Sequence, residues 1–278
     1  KGTKEIRDGN LDDSLPYQRK DEFGQVCADF DEMRKHLKQS VLTQLQYEQY
    51  RKELIAGISH DLRTPLTSIK GYVQGLKDNI ADTPEKRARY FSAIETRTAD
   101  LEALVDSLAS FSRMETGHYE FHFAKTDLAV WLADYLDEAR MEAEKRNQDI
   151  TLACDSIHAY AMLDVQEMGR VMTNLLVNSA KHAGKPRSNV QISLSQLPDN
   201  LLRIVVKDDG SGVSSVELTQ IFESFYRGDA ARTQPGQGSG LGLSIARQII
   251  LAHGGSIRAE SDGGLSIIIE LPAMGDEA

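Results

Sequence analysis

Gly57-Ile58-Ser59-His60-Asp61-Leu62-Arg63-Thr64-Pro65-Leu66 sets an imidazole beside a carboxylate, with a hydroxyl and a proline one helical turn further on. The flanks, Leu45 to Ile55 before it and Leu66 to Leu76 after it, lack Gly/Pro turn clusters. They carry apolar residues at intervals of three and four, which predicts that His60 lies on a long helix. Four residues apart on that helix, His60 and Thr64 share one face. Pro65 has no N–H and crowds the carbonyl of Asp61, so a bend is expected at the histidine. A nucleophilic ring next to a hinge is chemically suited to a switch, whereas a lone helical histidine is ordinarily a surface or core residue.

The rest of the 278 residues bound the answer. The chain is long enough for more than one domain. Lysine and arginine number 32 against 42 aspartate and glutamate, a net charge of −10 that excludes a general nucleic-acid binder with a basic patch. Cys27 and Cys154 are far apart with no neighbouring ligand pattern, which fits a reducing compartment and neither a disulfide framework nor a zinc site. No stretch approaches the roughly 18 consecutive apolar residues of a membrane span, and no signal-peptide pattern opens the chain. The segment therefore reads as soluble. Its start at Lys1 without methionine is expected of a fragment of a longer protein.

Around the histidine, the run from Ser59 to Leu66 resembles the phosphoacceptor box of bacterial sensor histidine kinases. The resemblance makes His60 the phosphoacceptor, Asp61 the acidic neighbour that polarises its ring, and Thr64 the residue that places a water for dephosphorylating a partner protein. Upstream, Asp21-Glu22-Phe23-Gly24 opens a helix with acidic residues at its N-terminus. Phe23, Val26, Phe30, Met33 and Leu37 then form one apolar stripe. Asp-Glu-Phe-Gly followed by Phe30-Asp31-Glu32-Met33 resembles the second half of a HAMP relay module, which connects a membrane span to a kinase. Residues 1–44 are accordingly expected to be a partial HAMP and signalling helix. The resemblance implies the cytoplasmic portion of a protein of the inner or plasma membrane, attached through a segment absent from this chain.

The helix is predicted to run to about Asp78. Thr83 is then a candidate N-cap with Pro84 at the first helical position of a second helix reaching about Met114. Ile94, Leu101 and Leu108 recur seven apart along it. Heptad-like seams on both arms of a hairpin leave apolar surface that a second hairpin would cover, so residues 45–116 predict a homodimeric four-helix bundle. After Gly117, alternating Tyr119, Phe121 and Phe123 predict a strand, and 117–278 changes to α/β character. Helices are expected over Asp127–Arg146, Asp164–His182 and Gly240–His253. Strands are expected near Ile150–Ala153, His158–Met162, Val190–Leu197 and Leu201–Lys207, with a final hairpin over Gly255–Leu271. Since they do not strictly alternate, a mixed sheet with helices on one face fits best.

This second region holds a series of polar motifs. Asn174, Asn178 and Lys181 fall on one helical face. Amide oxygens suit a Mg²⁺ that already carries triphosphate oxygens, and lysine adds a point charge for phosphate. Asp208-Asp209-Gly210-Ser211-Gly212 follows a strand, where Asp208 could accept from an exocyclic amine while the glycines let the backbone approach a base. Phe222-Glu223-Ser224-Phe225-Tyr226-Arg227 precedes a polar run that reads as a lid. Gly238-Ser239-Gly240-Leu241-Gly242 then enters a helix whose free N–H groups suit phosphate.

Each motif alone is weak evidence, but their order, closed by His253-Gly254-Gly255, resembles the nucleotide boxes of the Bergerat-type ATP fold shared by histidine kinases, gyrase, Hsp90 and MutL-like ATPases. The resemblance implies an α/β sandwich binding ATP and Mg²⁺. Asn178 would hold the metal, supported by Asn174, with Lys181 and His182 facing phosphate and Asp208 the adenine amine. Gly210 and Gly212 would lie by the base. Gly238, Gly240 and Gly242 would form the lid and phosphate contacts, Phe222 and Phe225 the lid anchor, and Arg227 would act at the transferring phosphate. The expected activity is ATP-dependent autophosphorylation of His60, followed by transfer to an aspartate of a response-regulator receiver domain. Two rivals remain. One is an ATPase machine needing a glutamate near the start of the asparagine helix, where Glu167 lies, and the other is a dimeric relay that binds ATP without transfer.

Overall fold

The computed structural model describes residues 11–12, 21–154, 159–224, 226 and 240–274. The chain divides into two compact units, Lys1–Ser59 and His60–Ala278. The first consists chiefly of the N-terminal part of helix α1, Glu22–Lys77. Asp21 caps it, its Oδ1 accepting the Gly24 N–H at 2.8 Å. Arg34, buried, pairs with Asp31 at 2.9 Å and donates to the Leu11 carbonyl. The stripe residues Phe23, Val26, Met33 and Leu37 remain exposed.

The second unit begins at His60, on the C-terminal part of α1, which pairs with α2, Pro84–Glu115. The turn between them is set by Asn79 in the left-handed region (φ 56°) and by the Ile80 N–H returning to the Gly75 carbonyl at 2.9 Å. Thr83 is the N-cap of α2 as expected, accepting from Lys86 N at 3.3 Å. The arms meet closely where Tyr72 and Tyr90 stand edge to face with centroids 5.2 Å apart, and a Cβ on Gly75 would lie 2.7 Å from Tyr90. Leu66, Val73, Phe91 and Val105 are left exposed along the hairpin.

The expected strand through Tyr119, Phe121 and Phe123 is not formed. Residues 118–123 pair with no strand among the described residues, and β1 starts only at Ala124 (Ala124–Asp127). The alternation marks instead a strap packed on the α/β domain. Tyr119, Phe121 and Phe123 lie ring on ring, and the Tyr119 hydroxyl donates to Glu167. A period of two arises from any extended segment with one covered face, whether or not its backbone joins a ladder.

Next come α3 (Leu128–Lys145), β2 (Gln148–Cys154), β3 (Tyr160–Leu163), α4 (Val165–His182), β4 (Ser188–Leu197) and β5 (Leu201–Asp208). The chain ends with a helical turn α5 (Glu217–Gln220), α6 (Gly242–Ala252), β6 (Ser256–Ser261) and β7 (Leu265–Pro272). Of these, β1 and β3 form a small antiparallel pair, and the main sheet has the order β2-β4-β5-β7-β6. Only β2 and β4 run parallel in it, so the sheet is mixed as expected. Asp127 and Asp164 cap α3 and α4. Along β4 and β5 buried residues alternate with more exposed ones. The core gathers Leu128, Leu132 and Leu136 of α3, Met168, Met172 and Leu175 of α4, Ile245 and Ile249 of α6, and Ile192, Ile204 and Ile269 of the sheet. Among the described residues no helix is long and apolar enough to cross a membrane.

Candidate functional site

His60 is carried by α1 with its side chain 71% exposed, and its Nδ1 lies 3.0 Å from Oδ1 of the half-buried Asp61. An ionised carboxylate can only accept, so Nδ1 carries the proton in this contact and Nε2 keeps its lone pair toward solvent. Thr64 is one turn on, its hydroxyl donating to the His60 carbonyl at 3.3 Å. This back-bond leaves the oxygen lone pairs of Thr64 outward on the face that carries the imidazole.

The second constellation forms where α4, α6 and the end of β5 converge. On α4 the apolar side, Met168, Met172, Leu175 and Leu176, is buried, which turns Asn174 and Asn178 to a half-buried flank and Lys181 and His182 to the exposed last turn. Asn174 Nδ2 donates to the Gly242 carbonyl at 3.1 Å, tying α4 to the first residue of α6. α4 and α6 pack against each other. Partial desolvation lowers the pKa of the Lys181 ammonium, an effect opposed by Asp100 and aided by Arg146.

Asp208 ends β5 and is buried. Its Oδ1 accepts two backbone N–H groups, from Gly210 at 3.0 Å and Leu265 at 2.9 Å, which fix the carboxylate plane. The approach of Leu265 needs a residue without Cβ before it. A Cβ on Gly264, whose φ is 139°, would fall 1.9 Å from the Asp208 carbonyl oxygen. The turn that follows is similarly confined: a Cβ on Gly210 would meet the His182 carbonyl at 3.0 Å, and Gly212 has φ 68° with Ser261 Oγ 2.3 Å from its Cβ position. Asp209 points the other way, accepting from Asn189 N at 2.9 Å and Asn189 Nδ2 at 2.8 Å and pairing with Lys185 at 2.6 Å. Burial alone would raise its carboxyl pKa, but Lys185 and Asn189 outweigh that and hold it at about 2.

Phe222 is buried. Gly240 takes φ 67° ahead of Leu241, which is buried, and α6 begins at Gly242 with no side-chain cap. A helix N-terminus without a side-chain cap hydrogen bond is a place where an anion can be received. Phe225, Arg227 and Gly238 lie outside the described residues. Of the remaining motif residues, Asn174 meets Gly242, and Gly210 lies against Asp208 and the backbone of His182. The donor set of neutral amide oxygens, an ammonium and the N-terminal N–H groups of a helix fits a nucleotide phosphate chain with Mg²⁺.

Three contacts in this region escaped sequence reasoning: the Asn174–Gly242 tie, Leu265 on Asp208, and Gly264 beneath it. Asp262-Gly263-Gly264 announced a turn, and nothing local tied that turn to Asp208. Glu167, the residue the ATPase rival requires, is buried in the first turn of α4 and accepts from Tyr119, while Asn178 and Lys181 lie toward the other end of that helix.

Three family models match the chain: the HAMP domain over residues 1–39, the His Kinase A (phospho-acceptor) domain over 50–117, and the histidine kinase-, DNA gyrase B-, and HSP90-like ATPase over 163–275. The sensor protein SrrB of Staphylococcus aureus is 31% identical over 227 residues, 81% of this chain and 38% of that protein. The sensor histidine kinase WalK of Bacillus subtilis is 31% identical over 235 residues, 84% of this chain and again 38% of that protein. The chain thus spans 38% of the length of these curated relatives. A crystal structure of histidine kinase ThkA in complex with response regulator protein TrrA superposes with a TM-score of 0.63 at 24% identity, covering 84% of this chain and 67% of that one. At that identity the likeness establishes the fold.

Proposed function

The chain belongs to the sensor histidine kinases of two-component systems, and on that premise we propose that it phosphorylates its own His60 from ATP and passes the phosphoryl group to an aspartate of a response-regulator receiver domain. The observation that carries this reading is the His60–Asp61 pair: an Nδ1 3.0 Å from a carboxylate that can only accept, on an exposed ring whose Nε2 has no partner among the described residues.

In the reaction, the Nε2 lone pair attacks the γ-phosphorus, an N–P bond forms, and the bond from that phosphorus to the bridging oxygen breaks to release ADP. The imidazole gains positive character as it is phosphorylated. Asp61, bonded at Nδ1, offsets that charge and fixes the reactive tautomer. Such transfer depends mainly on positioning and electrostatics. Asn178, supported by Asn174, would hold Mg²⁺, which when bound neutralises phosphate charge. Lys181, His182 and the first turn of α6 with Gly240 and Gly242 would bind the phosphates, and Asp208 with Gly210 and Gly212 would bind adenine. Phe222 and Phe225 would anchor the lid, Gly238 would lie within it, and Arg227 would act at the transferring phosphoryl group. Thr64, on the face of His60, would orient water when the regulator is dephosphorylated.

We divide the chain into a partial HAMP and signalling helix over 1–44, a dimerisation and phosphotransfer hairpin over 45–116 and an ATP-binding domain over 117–278. The exposed Leu66, Val73, Phe91 and Val105 support a homodimer in which two hairpins form a four-helix bundle. The HAMP match supports attachment to a membrane through a segment outside this chain, with the kinase on the cytoplasmic side.

Incubation with γ-labelled ATP and Mg²⁺ tests the reading. Acid-labile, base-stable label on the protein that is absent from His60→Gln and moves to a receiver domain is expected. Release of free phosphate by both proteins without labelled protein would favour the ATPase rival.

A further inference from the structure

The two helices that line the nucleotide site meet again at their far ends, and one imidazole joins them there. His253 is the C-cap of α6 and is buried. Its Nδ1 lies 2.7 Å from the Ile249 carbonyl, a geometry that requires Nδ1 to donate. Nε2 is therefore an acceptor, and it receives the backbone N–H of Asp164 at 3.0 Å. Asp164 is in turn the N-cap of α4: its Oδ1 accepts from Gln166 N and Glu167 N, and its Oδ2 accepts the His122 N–H of the strap. Phe121 and Phe123 stand edge-on to the imidazole at 6.0 and 4.9 Å.

We propose that His253, as a neutral imidazole, is a positioning residue of the nucleotide site: it pins the start of α4 to the end of α6 and so sets how the Asn174, Asn178 and Lys181 flank stands to the first turn of α6. The inference rests on reading that region as the nucleotide site. Among the described residues, polar ties between the two helices include Asn174 to Gly242 at the nucleotide end and Asp164 to His253 at the far end. With the second tie lost, α4 is free to pivot about the first, and a shift at the far end reappears at Asn178 and Lys181 because the helix moves as a rod.

The surroundings define when the tie holds. α4 presents two acidic groups, Asp164 and Glu167, and α6 the Ile249 carbonyl. The strap presents the rings of Phe121 and Phe123, with the Tyr119 hydroxyl committed to Glu167 and the His122 amide to Asp164. Arg113 of α2 lies beyond, over the Tyr119 ring at 5.6 Å. Burial lowers the pKa of the imidazole, while the Ile249 bond and the two carboxylates oppose it without reversing the direction. When Nε2 takes a proton it faces the Asp164 N–H donor to donor, and the tie opens.

The test is ADP affinity, measured calorimetrically with Mg²⁺ on the full chain at pH 7.5, 6.5, 5.5 and 4.5 for wild type, His253→Gln, His253→Phe and Asn178→Ala. Glutamine places an acceptor near Nε2 without titrating, so its profile reports the nucleotide's own protonation. As pH falls below the ordinary imidazole range, wild type should lose affinity more steeply than His253→Gln, by roughly threefold to tenfold once Nε2 is protonated, the worth of one hydrogen bond. His253→Phe should bind weakly at every pH, with faster hydrogen exchange at the Asp164 amide. Equal pH slopes in wild type and His253→Gln, or a folded His253→Phe that binds as tightly as wild type, would overturn the proposal. Should both variants fail to fold, the ¹⁵N titration of His253 in wild type decides: it must coincide with the loss of ADP affinity, and a mismatch sinks the idea. Unchanged binding in Asn178→Ala would instead refute the placement of the nucleotide, a separate failure.

Discussion

Replacing Asp208 by asparagine tests the proposed adenine contact with little change in shape. The wild-type carboxylate accepts from Gly210 N and Leu265 N through Oδ1 alone, at 3.0 and 2.9 Å. The asparagine oxygen must keep those two donors, because turning the amide over would set its NH₂ against two N–H groups. Its NH₂ then occupies the place of the other carboxylate oxygen and meets the exocyclic amine donor to donor. Weakening two charge-assisted bonds to neutral ones should cost about 1–3 kcal/mol of folding stability. Loss of the base contact should cost about 2–4 kcal/mol of binding, or roughly 30- to 1000-fold in Kd. Calorimetry with ADP and with inosine diphosphate, whose ring carries a carbonyl in place of the amine, gives the readout. Wild type should prefer ADP, and Asp208→Asn should lose or invert that preference while remaining folded by circular dichroism. A folded Asp208→Asn with the wild-type ADP affinity and preference would refute the reasoning.

Gly264→Ala, with φ 139° and a Cβ position 1.9 Å from the Asp208 carbonyl oxygen, should destabilise the ATP-binding domain by roughly 3 kcal/mol or more, and an unchanged melting temperature would show that the hairpin is not held as described. Tyr119→Phe removes the hydroxyl that serves buried Glu167, and a loss of about 1–3 kcal/mol in urea unfolding at neutral pH is expected. The hydroxyl itself, its pKa pushed up to about 12 by burial and by Glu167, stays protonated at every pH used, so the wild-type bond should show no alkaline loss below that range. Asp209, lowered from 3.8 to about 2 by Lys185 and Asn189 against the opposing effect of burial, contributes stability that is present above its unfolded pKa and lost as pH falls through the folded one. Asp209→Asn should therefore flatten the stability profile between about pH 4 and pH 2, and an unaltered acid limb would contradict the assignment.

The parts of the molecule legible in the sequence are those whose signals are local. Periodicity located α1, α2 and α4, and Thr83 with Pro84 marked where α2 begins. The spacing of Asn174, Asn178 and Lys181 placed them on one flank because a helix repeats every few residues. The strap was misread as a strand since alternating aromatics report a covered face and not a hydrogen-bonded partner. β3 was expected near His158–Met162, but its partner β1, only four residues long, gave no pattern of its own, so their pairing was not foreseen. Links such as Asp164 to His253 and Asp208 to Leu265 join residues far apart in the chain, and nothing in either partner's neighbourhood names the other.

The central claim is that the phosphoryl group resides on one nitrogen of one histidine. After a brief reaction with ATP and Mg²⁺, the protein digested at neutral to alkaline pH and sequenced by mass spectrometry should carry a single phosphoryl group on His60, with ³¹P–¹⁵N correlation placing it on Nε2, the nitrogen opposite the Asp61 contact. A phosphoryl group on Nδ1, on Asp61 or Thr64, or on any of the other histidines would contradict the account.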